Sequence, residues 1–450
     1  MGDYFKQKKT TGGYRTTMEK SKKAKIGFWS IVLLGFNAIV GSGIFLLPNK
    51  AMKLMGPASI GVIIFDAILV ITVALSFAEA GSIFSKNGGA YVYTKKAFGE
   101  FAAFEVGIMT YAICLIAAAT MAVGFTTALS VFYPAAATGM TKDIIVVSII
   151  IILAIINLLG VNFTKIILNI ATVGKIIPIA VFILIGVFFI KAHNFTPVFP
   201  HGVYTPGSFG KAALLIFFSF TGFESLALGA EDMENPQKNI PKAIVTVMII
   251  VAFVYTLIQV VSIGMLGPGL ANDLTPVSTA SGKFLGSYGA AFISLGILVS
   301  ITGINVAQSF FTPRIATALS DDRLLPKVMS KRTEKGVPYV AIIVSTIIII
   351  PIALSGSFTE LAVISSISRF TQYLPTCLSI LVFRRNPELK GTFRIPFGPV
   401  IPIVAAVVSI WLLTQSSLKD IIWGLGGLVI AVPLYFIMKY SNRKEDEKAS

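Results

Sequence analysis

The chain has 450 residues, of which 55% are hydrophobic and 13% charged, and it carries a formal net charge of +16. Soluble domains have about 25% charged residues, so this composition excludes an ordinary soluble protein and indicates a membrane protein. The mean hydropathy of +0.83 agrees with this interpretation.

Twelve segments are predicted to cross a bilayer, because a transmembrane helix needs about 20 mainly apolar residues. Their apolar runs are continuous and lack the alternation that a membrane β-barrel requires, so we expect an all-α integral membrane protein. In chain order the predicted spans are 28–47, 58–84, 101–132, 144–160, 167–190, 212–230, 243–266, 289–313, 339–355, 359–383, 398–416 and 420–439.

The basic residues are divided unequally between the two sides of the predicted membrane. If successive loops alternate in side, 28 Lys and Arg residues share the side of both termini, 7 lie on the other side and 2 lie within spans. Cytoplasmic loops carry such an excess, so both termini are predicted to be cytoplasmic. The basic tail, residues 1–26, is therefore predicted to be first a topology determinant, with contact to lipid headgroups as an additional expectation, and nucleic-acid binding is not expected.

Several other functional classes lack support in the sequence. The polar tail runs directly into a full span, so no cleavable signal peptide is predicted. Cys114 and Cys377 lie within predicted spans, which disfavours a disulfide framework. His193 and His201 share one loop without a cysteine or acidic cluster, so we expect neither a metal site nor a bound cofactor. The sequence contains no nucleophile elbow, P-loop or repeated filter motif, which disfavours an enzyme, a primary pump and a channel.

The first predicted span is interrupted within the sequence GFNAIVGSGIFLLP, residues 35–48, where Gly41-Ser42-Gly43 breaks the apolar run. Glycine weakens a helix interior by about 0.8–1 kcal/mol relative to alanine. The sixth span contains a second interruption at Thr221-Gly222. Close helix packing through small residues is the alternative explanation of each interruption.

The two interruptions occupy corresponding positions in two successive five-span halves. A unit with an odd number of spans must be inverted in the membrane when it is repeated, and paired broken helices mark the binding site of such transporters. The sequence therefore predicts a 5+5 inverted repeat with broken helices 1 and 6, followed by two C-terminal helices. An unwound segment offers amide donors to a carboxylate and carbonyl acceptors to an ammonium, so an α-amino acid suits the site.

Four segments resemble amino acid permeases of the amino acid–polyamine–organocation (APC) superfamily. GFNAIVGSGIFLLP resembles their first span, and FFSFTGFESLALGAEDMENPQKNIPKAI resembles their sixth span and the loop after it. AEAGSIFSKNGGAYVYTKKAFGE is similar to the connection between spans 2 and 3, with Ser85 in place of the usual proline and Ala90 in place of a common glutamate. RIATALSDDRLLPKVMSKRTEKGVPYVA resembles the loop after span 8, with Arg323 where glycine is usual.

This resemblance implies roles for individual residues of the two interruptions. The amides and the hydroxyl of Gly41, Ser42 and Gly43 are expected to hold a substrate carboxylate. The carbonyls of Ile39, Phe218 and Thr221 are expected to receive its ammonium. Phe218 matches a lid position, although it could be a plain core aromatic, and Phe218 with Phe223 suggests an apolar wall. The expected substrate-binding residues are Ile39, Gly41, Ser42, Gly43, Phe218, Thr221, Gly222 and Phe223.

Lys175 lies about eight residues into predicted span 5, which is about 12 Å along a helix. Low-dielectric surroundings favour loss of the ammonium proton. In proton-coupled members of the family a fifth-span lysine replaces the sodium ion of sodium-coupled relatives, and Lys175 matches that position. The resemblance therefore implies proton coupling through Lys175; snorkelling to the interface or an ion pair is the alternative.

Other charged residues fall within the predicted spans. Glu224 is expected to act in gating at the second interruption, with a solvated or paired acid of no functional role as the alternative. Glu79 and Glu105 lie toward cytoplasmic helix ends, where water or basic loops reach them, so we expect solvated helix ends. Asp66 and Arg369 lie deeper, and no partner for either is evident from the sequence.

The predicted organisation is a ten-helix transport core at 27–385, helices 11 and 12 at 386–440 and a cytoplasmic tail at 441–450. We expect a multi-pass plasma-membrane transporter of small or aliphatic neutral L-amino acids that acts by alternating access with proton symport. Amino acid exchange and polyamine transport remain open. Some family members attach a single-span partner through a cysteine in the external loop after span 3; YPAAATGMTKD contains none, so no such partner is expected.

Overall fold

The computed structural model describes residues 25–84, 88–160, 164–228 and 233–449. Within these ranges all regular secondary structure is helical, and the one strand-like feature is an isolated bridge between Ile26 and Met233. Residues 1–24 of the predicted basic tail lie outside the described residues, as does Ser85.

The helices follow one another with short connections, several of which are 3-10 turns. The first ten α-helices are α1 (Phe28–Ile39), α2 (Gly43–Leu46), α3 (Pro48–Met55), α4 (Ser59–Ile83), α5 (Ala90–Phe98), α6 (Glu100–Leu129), α7 (Gly139–Leu158), α8 (Thr164–Gly186), α9 (Ser208–Phe217) and α10 (Ser225–Leu228). The remaining described α-helices are α11 (Pro236–Leu266), α12 (Pro276–Asp321), α13 (Tyr339–Leu354), α14 (Phe358–Phe383), α15 (Val400–Thr414) and α16 (Leu418–Ala449).

Eight described segments are long and apolar enough to cross a membrane, judged by length and composition alone. They are Pro48–Ile83, Glu100–Leu129, Gly139–Leu158, Ala171–Phe189, Ser208–Ala227, Pro236–Asn272, Pro276–Asp321 and Leu418–Lys444. Three further helices, α1, α13 and α15, are apolar but shorter than 18 residues. Each apolar segment predicted from the sequence coincides with at least one of the described helices.

Some helices extend well beyond the apolar segments from which they were predicted. The 46 residues of α12 include polar stretches on both sides of the predicted span 289–313, and Gly286 marks a bend with φ of +70°. Helix α16 continues to Ala449, so the predicted C-terminal tail is helical as far as it is described. Hydropathy identifies only the apolar part of a helix, whereas backbone hydrogen bonding continues into polar residues.

Close helix contacts position the lysine of α8 in the interior. Helix α8 packs along α12, while α4 packs along α11. A Cβ atom added to Gly174 would lie 2.6 Å from Cγ1 of Val299 on α12, so only glycine allows this approach. Small residues at such contacts are typical of helix packing in membranes, where backbones must come close to gain packing energy.

Candidate functional site

The first helix interruption separates α1 from α2 at residues 40–42. Val40 leaves the helical conformation with ψ of 94°, and its N–H still donates to the Phe36 carbonyl at 2.9 Å. Helix α2 restarts at Gly43, and the Ser42 carbonyl accepts the N–H of Leu46 at 3.0 Å. The amides that precede the first intrahelical bond of a helix are donors without an intrahelical acceptor, so they are available to a ligand.

The second interruption follows α9 and a 3-10 turn at Phe218–Phe220. Thr221 is extended, and Gly222 has φ of +118°, a conformation that L side chains rarely adopt. The Thr221 hydroxyl donates to the Phe218 carbonyl at 2.7 Å, and the Gly222 N–H donates to the Glu224 carboxylate at 2.9 Å. Both interruptions predicted from the sequence are therefore present, and this one is stabilised by side chains of its own segment.

The two interruptions lie against each other. A Cβ atom on Gly222 would be 2.5 Å from the Ala38 carbonyl oxygen, so the backbones meet at this glycine. The hydroxyl of the fully buried Tyr255 on α11 lies 3.0 Å from the Ser219 carbonyl and 3.3 Å from the Ile39 carbonyl, one from each interruption. Tyr255 thus connects the two breaks through carbonyls that the helices leave without an intrahelical partner.

A cavity lies between the interruptions and is bounded by helices α6, α12 and α14 on its other sides. Its described lining residues are Ala38, Ile39, Gly41, Gly43, Ala117, Met121, Phe218, Ser219, Thr221, Gly222, Ile304, Gln308 and Arg369. A second cavity, lined by residues of α6, α7, α12 and α13, contains no residue of either interruption. The first cavity is therefore the candidate substrate site.

Six of the eight predicted substrate-binding residues line this cavity: Ile39, Gly41, Gly43, Phe218, Thr221 and Gly222. Ser42 and Phe223 are not among the lining residues. The Ser42 hydroxyl is buried and donates to the Met121 sulfur at 3.3 Å. Phe223 is also buried and stacks on Tyr373, with ring centroids 5.4 Å apart. Each of these two side chains thus contacts another side chain of the core.

Phe218 is the aromatic side chain in the described cavity lining. It is 4% exposed and packs edge-to-face against Phe358 at the start of α14, with ring centroids 6.0 Å apart. The ring belongs to the cavity wall, and its role as a lid stays a prediction.

Lys175 of α8 is buried, and its ammonium reaches the first interruption. Its Nζ atom donates to the Val40 carbonyl at 2.8 Å and to the Asn37 carbonyl at 3.1 Å. No ion pair of the described residues includes Lys175. The side chain therefore does not snorkel to an interface; it binds the carbonyls released where α1 ends.

Arg369 of α14 and Glu224 form an ion pair at the edge of the cavity. Arg369 Nε lies 3.0 Å from a Glu224 oxygen, and its Nη1 bonds to the carbonyl and the hydroxyl of Ser365. The Tyr373 hydroxyl donates to the other Glu224 oxygen at 3.0 Å. Glu224 is thus a paired acid that connects the second interruption to α14. The sequence indicated no partner for Arg369; in the structure it lines the cavity, and Glu224 balances its charge.

The interpretation of Glu79 as a solvated helix end is wrong. Glu79 is 2% exposed, and both of its oxygens receive hydrogen bonds from Arg384, at 2.7 and 2.6 Å. The backbone N–H of Ile395 adds a third bond at 2.8 Å. The pair forms because the basic loop after α14 folds back onto the end of α4. For Asp66 and Glu105, the described residues supply no hydrogen-bond partner to either carboxyl oxygen.

Sequence reasoning missed several residues of the site, among them Ser219, Met121, Gln308 and Tyr255. Each is of a type that occurs throughout the chain, and the sequence contains no signal that marks which helix face it occupies. Among the described residues there is no group of His, Cys, Asp and Glu that could hold a metal ion.

The amino acid permease family matches residues 26–437, nearly the whole chain. The chain is similar to three proteins of Bacillus subtilis (strain 168). The branched-chain amino acid permease BcaP is 28% identical over 95% of this chain and 96% of its own length. The methylthioribose transporter is 29% identical over 98% of this chain and 99% of its own length. The serine/threonine exchanger SteT is 28% identical over 94% of this chain and 98% of its own length.

These matches confirm the resemblance drawn from the interrupted spans and their connecting loops. Together with the apolar helices they establish a multi-pass membrane protein. The chain belongs to the amino acid permease family of the APC superfamily.

Proposed function

We propose that the protein is a secondary active transporter of zwitterionic L-amino acids with small or aliphatic neutral side chains. The observation that carries this proposal is the cavity between two helix interruptions that touch each other. Backbone irregularity at membrane depth is tolerated where it lines a cavity or meets a ligand. Here it provides amide donors after the first break, and carbonyls at both breaks whose second lone pair can accept a bond from a substrate ammonium.

The charge balance of the cavity favours a neutral substrate. Arg369 is the charged residue of the described lining, and Glu224 compensates it. A substrate with a cationic side chain would lie near the Arg369 guanidinium and would find no free carboxylate to pair with. Burying an unpaired charge is strongly unfavourable. The same argument disfavours a polyamine, because its several positive charges would find no free carboxylate in the described lining. The relative named a branched-chain amino acid permease is consistent with an aliphatic substrate.

Transport is proposed to couple to protons through Lys175. Its ammonium stabilises the first interruption through the carbonyls of Asn37 and Val40. Losing the proton would remove a charged donor from both contacts and shift the balance between the two access states, as any coupling ligand must. If the proton is lost from Lys175 itself, proton coupling needs no acidic residue next to the lysine.

The proposed architecture has twelve membrane spans, with helices 1 to 10 forming the inverted repeat at 27–385 and helices 11 and 12 at 386–440. Both termini are proposed to face the cytoplasm of a plasma-membrane protein, since the excess of Lys and Arg lies on their side. We propose no cofactor, no catalytic activity and no disulfide-linked partner, with the substrate and the surrounding lipid as the binding partners.

Uptake by the purified protein in liposomes tests the proposal. A panel of radiolabelled amino acids is offered while an inward proton gradient and an inward sodium gradient are imposed separately. We expect accumulation of small or aliphatic neutral amino acids with the proton gradient alone. Failure to move any amino acid in either gradient or in exchange would contradict the function.

Exchange is the second candidate, because one relative is named a serine/threonine exchanger. Liposomes loaded with unlabelled amino acid distinguish the two modes. An exchanger takes up label only into loaded liposomes, whereas a symporter also fills empty ones when a proton gradient is present.

A further inference from the structure

The Ser219 hydroxyl is buried without a hydrogen-bond partner. The residue is 3% exposed, and no described atom bonds to its Oγ. Hydroxyls of helices usually donate to a carbonyl three or four residues earlier, as Thr120 does to Ile116 at 2.7 Å. Ser219 does not, and a buried polar group without a partner is unfavourable unless a ligand or water supplies one.

Ser219 belongs to the candidate substrate cavity, and its hydroxyl packs against the first interruption. Ser219 is a lining residue, and a Cβ atom on Gly43 would lie 2.5 Å from its Oγ. The two residues are in close contact, and only glycine at position 43 allows this approach. Ser219 is also held in place, because the Tyr255 hydroxyl donates to its carbonyl at 3.0 Å.

The other serine of the site has its hydroxyl engaged elsewhere. Ser42 donates to the Met121 sulfur and is not among the cavity-lining residues. A substrate carboxylate bound to the backbone amides at Gly43 would therefore also lie beside the Ser219 hydroxyl, which packs against residue 43. A hydroxyl donating to a carboxylate forms a charge-assisted bond, which is stronger than a bond between neutral groups.

We propose that Ser219 is a substrate ligand whose hydroxyl donates a hydrogen bond to the amino acid carboxylate. The assignment rests on the proposed function and adds a side-chain donor from the second interruption to the backbone donors of the first. The carboxylate thereby contacts both broken helices, and its binding depends on their relative position.

Equilibrium binding of a transported amino acid to purified Ser219→Ala tests the assignment. We expect affinity to fall about 10- to 100-fold, the loss typical of a hydrogen bond to a charged group. Ser262→Ala is the matched control, because the Ser262 hydroxyl on α11 is also buried without a described partner but lies outside the cavity lining. Its affinity is expected to stay within about twofold of wild type.

A substrate analogue identifies which end of the substrate the hydroxyl contacts. If Ser219 binds the carboxylate, the preference of the wild type for the amino acid over its primary amide shrinks in Ser219→Ala. An equal loss for acid and amide assigns the hydroxyl to the ammonium and overturns the proposal, as does unchanged affinity in the alanine variant. Should Ser219→Ala fail to fold, Ser219→Cys retains the volume with a weaker donor, and it is expected to show a smaller loss of the same preference.

Failure of this proposal is distinguishable from failure of the proposed function. If the wild type binds no amino acid, the function is wrong whatever Ser219 does. If the wild type binds and Ser219→Ala binds equally well, only the assignment of Ser219 is wrong.

Discussion

The ammonium of Lys175 lies 2.8 Å from the carbonyl oxygen of Val40, the residue at which α1 leaves the helical conformation. This hydrogen bond connects α8 to the first interruption through a single titratable group, the Lys175 ammonium.

Replacing that group is expected to separate coupling from binding. Lys175→Ala should bind amino acid measurably, yet lose the stimulation of uptake by an inward proton gradient; sodium should not substitute in the wild type. Lys211→Ala removes an exposed lysine near the start of α9 and is the control. If Lys175→Ala still accumulates amino acid in response to a proton gradient, Lys175 has a structural role only, and exchange becomes the better explanation of transport.

Gly43→Val is expected to abolish substrate binding while the protein still inserts and folds. The added Cβ would lie 2.5 Å from the Ser219 hydroxyl oxygen and 3.0 Å from the Ser219 Cα, so the two interruptions must move apart and the proposed carboxylate site is disrupted. Gly61→Val is the control, because nothing lies within 4 Å of a Cβ at that position. Near-normal affinity in purified Gly43→Val would reject the carboxylate site.

The ligand is expected to be zwitterionic. Removing either charged end leaves buried donors or acceptors unpaired, at about 1–3 kcal/mol for each group. Competition against labelled substrate should therefore fail for amino acid esters and for carboxylates without the α-amino group. Equal competition by a decarboxylated amine would point to a polyamine transporter.

Glu224→Gln is expected to slow transport and largely spare equilibrium affinity, because the carboxylate joins the Gly222 amide to Arg369 and Tyr373 without lining the cavity. Turnover and binding are measured on the same preparation. Glu388→Gln alters an exposed acid in the loop after α14 and serves as the control. Unchanged turnover would leave Glu224 as a paired acid without a role in the cycle.

Arg384→Met is expected to destabilise the protein by about 3–5 kcal/mol, because it leaves the buried Glu79 carboxylate without its cation. The neighbouring Arg385 is exposed, so Arg385→Met should change the thermal unfolding temperature little. Adding Glu79→Gln to the Arg384 variant should recover much of the loss. Similar unfolding temperatures for the two arginine variants would contradict this role of the pair.

The helices and their two interruptions could be predicted because both depend on local properties of the chain. Apolar runs identify membrane-spanning helices, and the Gly41-Ser42-Gly43 and Thr221-Gly222 segments weaken them at identifiable positions. The lengths of helices such as α12 were underestimated, because polar helix ends give no hydropathy signal.

The partners of the buried charges could not be predicted, since they depend on which helix faces meet. Glu224 and Arg369 are 145 residues apart in sequence, and Glu79 and Arg384 are 305 apart. The same limit applies to the cavity. Ser42 and Ser219 both lie at interruptions, yet of the two only Ser219 is a residue of the cavity lining.

The contacts of the first interruption have a consequence for the order of membrane assembly. Its carbonyls are satisfied by groups that follow much later in the chain: Lys175 lies 135 residues after Val40, and Tyr255 lies 216 residues after Ile39. In hydrocarbon an unsatisfied carbonyl costs several kcal/mol. During synthesis the first span is therefore expected to enter the bilayer as an unbroken helix, with its carbonyls bonded internally. It can open only after α8 and α11 have arrived, so the substrate site is among the last parts of the protein to form.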